Sequence, residues 1–325
     1  MKTGEKALRN FMAKRPLDCA IKEMEAPDVL LWAVWAIQQY ANHAGLEACN
    51  EHYGKLVFDL VNFIRNQRHT NLSLHENGLL YTDGTKTPVS WMNAMWNGVP
   101  VVPRSGYLVE FNALWYNALL FTAELAEVSG NKMMRADMET MAMQTKMQFL
   151  ETFLNQHGYL FDYVNGGPLD WSVRPNQIFA ASLPHSPLDR LQRKRVLDYV
   201  TKELLTPKGL RSLSPKSQGY TPLYEGPEEQ RIRASNMGAA WPWLIGPFLE
   251  AYLKVYQNSG LMFAQRIIYG FEEELSDRAV GTISELFDGD PPYSGRGGVS
   301  FAMNVAELLR IHRMVKNTLN LMQES

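Results

Sequence analysis

Apolar residues recur along most of this chain at helical spacing, so the pattern predicts a succession of amphipathic and buried helices. Val29-Leu30-Leu31-Trp32-Ala33-Val34-Trp35-Ala36-Ile37 opens a helix reaching Ala44, with Pro27 in its first turn and Gly45 at its end. His52 to Arg68 carries one apolar face through Leu56, Val57, Leu60, Val61 and Ile64. Further helices are predicted over Phe111–Val128, Lys132–Leu154, Arg174–Leu183, Leu188–Leu205, Trp243–Tyr256, Met262–Glu274 and Ala302–Met314. Strand signals are confined to Gly78-Leu79-Leu80-Tyr81 and Tyr159-Leu160-Phe161-Asp162-Tyr163. They do not alternate with the helices, which argues against a parallel sheet. The fold class expected is all-α.

Between the helices lie long segments rich in Pro, Gly and aromatic residues, at 72–110, 156–176, 206–242 and 281–301. Loops of that length in a compact domain carry function. Antiparallel helix pairs around an axis, with these loops gathered at one mouth, satisfy the pattern. No polar low-complexity linker divides the chain, so its 325 residues read as one large domain rather than two. The net charge of -2 provides no field for nucleic acid or an anionic membrane. The longest apolar run, Val29 to Ile37, is too short to cross a bilayer. Met1 to Lys6 leads into no apolar signal segment. Two cysteines, Cys19 and Cys49, make no disulfide framework. A cytoplasmic protein without metal or cofactor is expected. The unusual quantity is aromatic: 8 Trp within an aromatic share of 11%. Flat indole faces suit the CH faces of pyranose rings, and equally suit a large helical core.

The loops hold the candidate chemistry. Trp91 and Trp115 form either an aromatic platform or part of the core, and Arg104, Glu110 and Asn112 beside them suit hydroxyl binding. Glu110 is equally a first-turn acid on a helix dipole. Pro175 sets Arg174 and Asn176 at a helix start, a position that favours anionic or hydroxyl ligands or serves as a cap. Trp241 and Trp243 flank Pro242 at another helix entry. Gly281 to Pro292 gathers Glu285, Asp288 and Asp290. Asp288 and Asp290 either ligate a cation, which two carboxylates alone do not define, or form an Asp-Gly turn, the stronger reading for the pair, whereas Glu285 reads as a working carboxylate.

These stretches, in order, resemble the amylo-α-1,6-glucosidase family. The resemblance is carried by Ser90-Trp91-Met92, Pro103-Arg104, Asn112 to Leu119, Arg174-Pro175-Asn176-Gln177, Leu204 to Pro215, Trp241-Pro242-Trp243 and Gly281 to Pro292. It implies an (α/α)6 toroid over 25–325. It further implies an α-glucan partner such as glycogen or a limit dextrin, and hydrolysis of an α-1,6-linked glucose at a branch point with inversion, a step of glycogen catabolism. Inversion needs one carboxyl to protonate the leaving oxygen and another, ~6.5–9.5 Å away, to activate water. The base aligns with Glu285. The acid belongs to a Trp-Met-Asp sequence, and here its position is Asn93. Trp91, Arg104, Glu110, Asn112, Trp115, Arg174, Asn176, Trp241, Trp243 and Asp288 are the residues the resemblance points to for substrate binding.

Three departures accompany Asn93. Ser235 to Trp241 replaces a Tyr-His-x-Gly-Thr-x-Trp pattern, Phe301-Ala302-Met303-Asn304 replaces Gln-Ala-Trp-Ser, and the family's Gly-Asp-Trp-Gly-Arg-Asp segment is absent. Residues 1–24 read as a remnant of a shortened first helix pair. A divergent glucosidase and a non-catalytic glucan-binding homologue therefore both fit. A sugar epimerase on the same helical frame would need histidines, and none of the seven falls inside the matched motifs.

Overall fold

The computed structural model describes residues 26–324. The predicted remnant at 1–24, including Cys19, lies outside the described residues. Pro27 caps α1 (Asp28–Ala44), and Gly45, at φ 90°, ends it; both act through backbone geometry, since neither offers a capping side chain. The predicted stripe over His52–Arg68 starts earlier than expected. Helix α2 (Leu46–Cys49) runs through a π-turn at Asn50–Gly54 into α3 (Lys55–Arg65). Helix α4 (Val109–Val128) buries sixteen of its twenty residues and packs against α1, α3 and α5 (Lys132–Phe153). It is the central helix.

A 3-10 turn at Pro175–Gln177 leads into the wholly buried α6 (Ile178–Ser182). A capping box of Asp189 and Gln192 starts α7 (Arg190–Leu204). Helix α8 (Glu228–Met237) lies where only loop was predicted; it buries just Ala234 and Asn236 and so shows no apolar stripe. A second 3-10 turn, Pro242–Leu244, leads into α9 (Ile245–Tyr256). The single helix predicted over Met262–Glu274 is two, α10 (Leu261–Tyr269) and α11 (Glu274–Asp277), parted after Gly270. Helix α12 (Ala302–Glu324) closes the described chain.

The chain is mostly helical, but the all-α expectation needs correction. The long loops pair with one another as short antiparallel strands: β1 (Ser73–Leu74), β2 (Leu80–Thr82), β3 (Met95–Trp96), β4 (Val99–Pro100), β5 (Gly106–Leu108), β6 (Tyr163–Val164), β7 (Leu205–Thr206), β8 (Gly209–Arg211), β9 (Ala240–Trp241), β10 (Leu286–Phe287) and β11 (Gly295–Arg296). They form sheets ordered β1-β2-β5-β6 and β11-β10-β9-β8-β7, with β3-β4 as a separate hairpin. The physical reason is that buried loop backbone must find hydrogen-bond partners. Strands of two or three residues satisfy that need; β2 and β6 overlap the runs predicted at 78–81 and 159–163, and the rest leave no readable alternation. The register places Tyr107 opposite Tyr81 on one side and Val164 on the other. Gly106, at φ +112°, is required here because a Cβ would meet the Val164 carbonyl oxygen at 2.3 Å. Among the described residues no helix is long and apolar enough to cross a membrane.

Candidate active site

Four helices bring their first two or three turns to one place. The cavity they line, about 490 Å³, takes Trp32 and Trp35 from α1, Phe179 from α6, Trp243 and Glu250 from the α9 segment, and Glu307 and Arg310 from α12. Trp91, from the loop after β2, completes its wall, with Asp28 and Ser90 beside it. The rings touch in a chain. Trp243 stacks on Phe179 at 5.7 Å and 21°, Trp32 meets Phe179 edge-on at 5.0 Å, and Trp35 follows at 5.7 Å. Trp91 sits edge-to-face between Trp243 at 5.3 Å and Trp241 at 5.5 Å. At the far end the Arg310 guanidinium lies 5.5 Å from the Trp35 ring. Glu250 and Arg310 lie seven residues beyond Trp243 and Met303, about 10 Å further along their helices, so the aromatic walls lead to a charged end.

A buried ionic network fixes the Trp91 wall. The Arg104 guanidinium grips Glu110 with two bonds of 2.5 and 2.7 Å. It grips Asp162 with two more, of 2.6 and 3.0 Å, and also donates to Ser90 Oγ at 3.1 Å. The Asn176 amide donates to Asp162 Oδ1 at 2.8 Å and accepts the Trp91 indole N–H at 2.7 Å. Arg174 Nε lies 4.0 Å from Asp162 Oδ2, and its Nη1 donates to the carbonyls of Ser212 and Asn236. Five sequence-predicted residues (Trp91, Arg104, Glu110, Arg174 and Asn176) are thus brought together, and the hub they share, Asp162, was missed. An acid inside the apolar run Leu160 to Tyr163 was the available signal, because a buried carboxylate needs a partner.

Burial raises the Glu110 carboxyl above its ordinary range, with Arg104 opposing. Burial, and then the Glu110 charge, lift Asp28 to about 7, against the hydrogen bond from the Trp32 indole at 3.2 Å. Asp28 is not among the sequence-predicted site residues, because it stands one residue before the apolar run Val29 to Ile37 that marks the helix. Its raised value has a consequence for stability. The folded chain keeps this proton up to about pH 7, whereas the unfolded chain releases it near pH 4, so stability falls as pH rises through that window. The expected total is up to about 4 kcal/mol. Urea denaturation at pH 5 and pH 8 should show a drop in wild type that Asp28→Asn largely removes. Parallel losses in both proteins would refute this.

The other candidates lie elsewhere. Asn112 spends its amide on β2, accepting from the Leu80 N–H at 2.7 Å and donating to the Leu80 and Leu108 carbonyls. Of the two readings of Trp115, the core one holds: it is fully buried among apolar side chains. Trp241 packs on the outer side of Trp91, its indole bonded to the Ser235 carbonyl. Asp288 is buried, paired to Arg296 at 2.7 Å and accepting the Tyr224 N–H at 2.8 Å, which ties the 220s loop to the 290s.

Asn93 is exposed and Glu285 half-buried; both belong to loops around the aromatic wall and neither is among the residues lining the cavity. Two asparagines in the divergent stretches hold these loops. Asn236 accepts the Ala94 N–H at 2.9 Å, next to Asn93. Asn304 accepts the Trp243 N–H at 3.0 Å and donates to the Ser284 and Glu285 carbonyls at 2.7 and 2.9 Å. The Glu285 carboxylate accepts the Gly298 N–H at 2.8 Å, which orients it. None of the described histidines lines the cavity.

Comparison with known proteins gives this chain a family. Residues 21–310 match the sequence family described as amylo-alpha-1,6-glucosidase. The chain is similar to the glycogen debranching enzyme of Saccharomyces cerevisiae, at 24% identity over 56% of this chain and 15% of the yeast protein. It thus spans about a seventh of that relative's length. Among solved structures, the neutral trehalase Nth1 of Saccharomyces cerevisiae aligns with a TM-score of 0.49 and 15% identity, over 65% of this chain and 40% of that one.

Proposed function

Since the chain belongs to the amylo-α-1,6-glucosidase family, we propose that it holds the α-1,6-linked glucose of a branched α-glucan, such as glycogen or a limit dextrin, against its aromatic cavity. The observation that carries this reading is the four-tryptophan wall of Trp32, Trp35, Trp91 and Trp243 with Asp28 and Ser90 beside it. Apolar ring faces take up the CH faces of a pyranose, and a few fixed polar groups orient its hydroxyls. The convergence of helix starts on one cavity supports an (α/α)6 toroid over 25–325 as the frame.

In this reading hydrolysis proceeds with inversion. Glu285, oriented by the Gly298 N–H and by Asn304, takes a proton from the attacking water. The position of the family's acid is Asn93, whose amide cannot give up a proton at useful cost, so the leaving oxygen takes its proton from solvent water and turnover is slow. Glucose release from a phosphorylase limit dextrin tests this. Wild type is expected to release glucose above a Glu285→Gln control, and equal release sinks the hydrolytic reading. A second reading, favoured by Asn93 itself, is a glucan-binding homologue without turnover. It predicts maltooligosaccharide affinity that survives Glu285→Gln.

A further inference from the structure

Away from the tryptophan cavity, and sharing none of its lining residues, a second groove of about 490 Å³ opens beside Trp171. Trp171 is 47% exposed, and no other tryptophan of the chain is exposed. Exposure is not looseness here. The Trp171 ring packs edge-on against Phe161 at 4.9 Å, its carbonyl accepts the Tyr159 hydroxyl at 3.0 Å, and the following N–H is bound by Asp170 at 2.9 Å. Two further rings, Tyr159 and Tyr199, line the groove and contact each other at 4.9 Å. Its polar groups carry both charge signs. Glu203 is mostly buried, accepting Ser214 Oγ at 2.9 Å and Lys216 Nζ at 2.6 Å, with Gln218 close by in the lining.

This combination selects a ligand class. Compensated charge offers little to a polyanion. An indole already fixed in place loses little freedom on binding, and carboxylate, ammonium and amide groups around it suit a neutral ligand dense in hydroxyls. Val173 lines the groove, and the next residue, Arg174, donates to the carbonyl of Asn236, whose side chain holds the Asn93 loop. The groove therefore adjoins, through one residue, the network behind the candidate active site.

We propose that the Trp171 groove is a second α-glucan site, taking a linear run of α-1,4-linked glucose from the same branched polymer whose branch glucose meets the aromatic cavity. This rests on the glucan reading above. It adds a site that would retain the polymer independently of the cavity.

Calorimetry with maltoheptaose and with isomaltose separates the two ideas. Trp171→Ala is expected to weaken maltoheptaose about tenfold, from the loss of one stacked ring, and to leave isomaltose binding as in wild type, which shows that the chain is still folded. Trp171→Tyr is expected to recover most of the affinity. Wild-type maltoheptaose affinity in Trp171→Ala overturns the groove proposal alone. A wild-type chain that binds neither sugar overturns the glucan reading and the groove together.

Discussion

Replacing Asn93 by aspartate should raise glucose release from a limit dextrin by roughly 10²–10⁴-fold, the usual contribution of general acid–base catalysis. The change is nearly isosteric and falls on an exposed side chain. The loop backbone is held independently, by the Asn93 N–H to the Trp91 carbonyl and the Ala94 N–H to Asn236, so the new carboxyl inherits the amide's position. Exposed, it costs the fold no buried charge, and because an ordinary aspartate ionises at about pH 4 the gain is expected to grow as the assay pH is lowered toward that range. A single-turnover assay isolates the chemical step, and the gain should disappear in an Asn93→Asp/Glu285→Gln double variant. An unchanged rate in the single variant would show that proton donation is not what limits this chain.

The largest loss of stability is expected from Arg104→Met. Arg104, Glu110 and Asp162 are all buried, and the guanidinium supplies each carboxylate with two hydrogen bonds. Removing it leaves two carboxylates in a low-dielectric interior, at a cost of about 3–5 kcal/mol read from urea denaturation. Arg104→Lys is expected to recover little, because a single ammonium cannot match two carboxylate forks at once. Adding Glu110→Gln to Arg104→Met should return part of the loss by removing one stranded charge. The damage also reaches the site, since Asp162 holds Asn176 and Asn176 holds the Trp91 indole. A loss below about 1 kcal/mol, the range of exposed pairs, would mean the network is hydrated.

Helices were legible where an apolar stripe met proline or glycine punctuation, as Pro27 and Gly45 frame α1. Helix α8 was not, because its sequence Glu-Glu-Gln-Arg-Ile-Arg buries almost nothing. Of the strands, β2 and β6 overlap the runs predicted at 78–81 and 159–163, and the others escaped for a different reason. A two-residue strand such as β9 is defined by its neighbours β8 and β10, and those lie far away in sequence. The site divides in the same way. Glu110 sits six residues from Arg104 and could be read with it, whereas Asp162 lies 58 residues on, in an apolar stretch. Glu110 and Trp115 shared one motif, but five residues on a helix turn the side chain by about 140°. One therefore reaches the ionic network and the other the core.

A pyranose is expected to occupy the cavity walled by Trp32, Trp91 and Trp243. A crystal structure of the Glu285→Gln protein soaked in isomaltose tests it most directly. The expected result is a glucose ring against Trp91 and Trp243, with a hydroxyl within hydrogen-bond reach of Asp28. An ordered, unoccupied cavity at saturating isomaltose would contradict it.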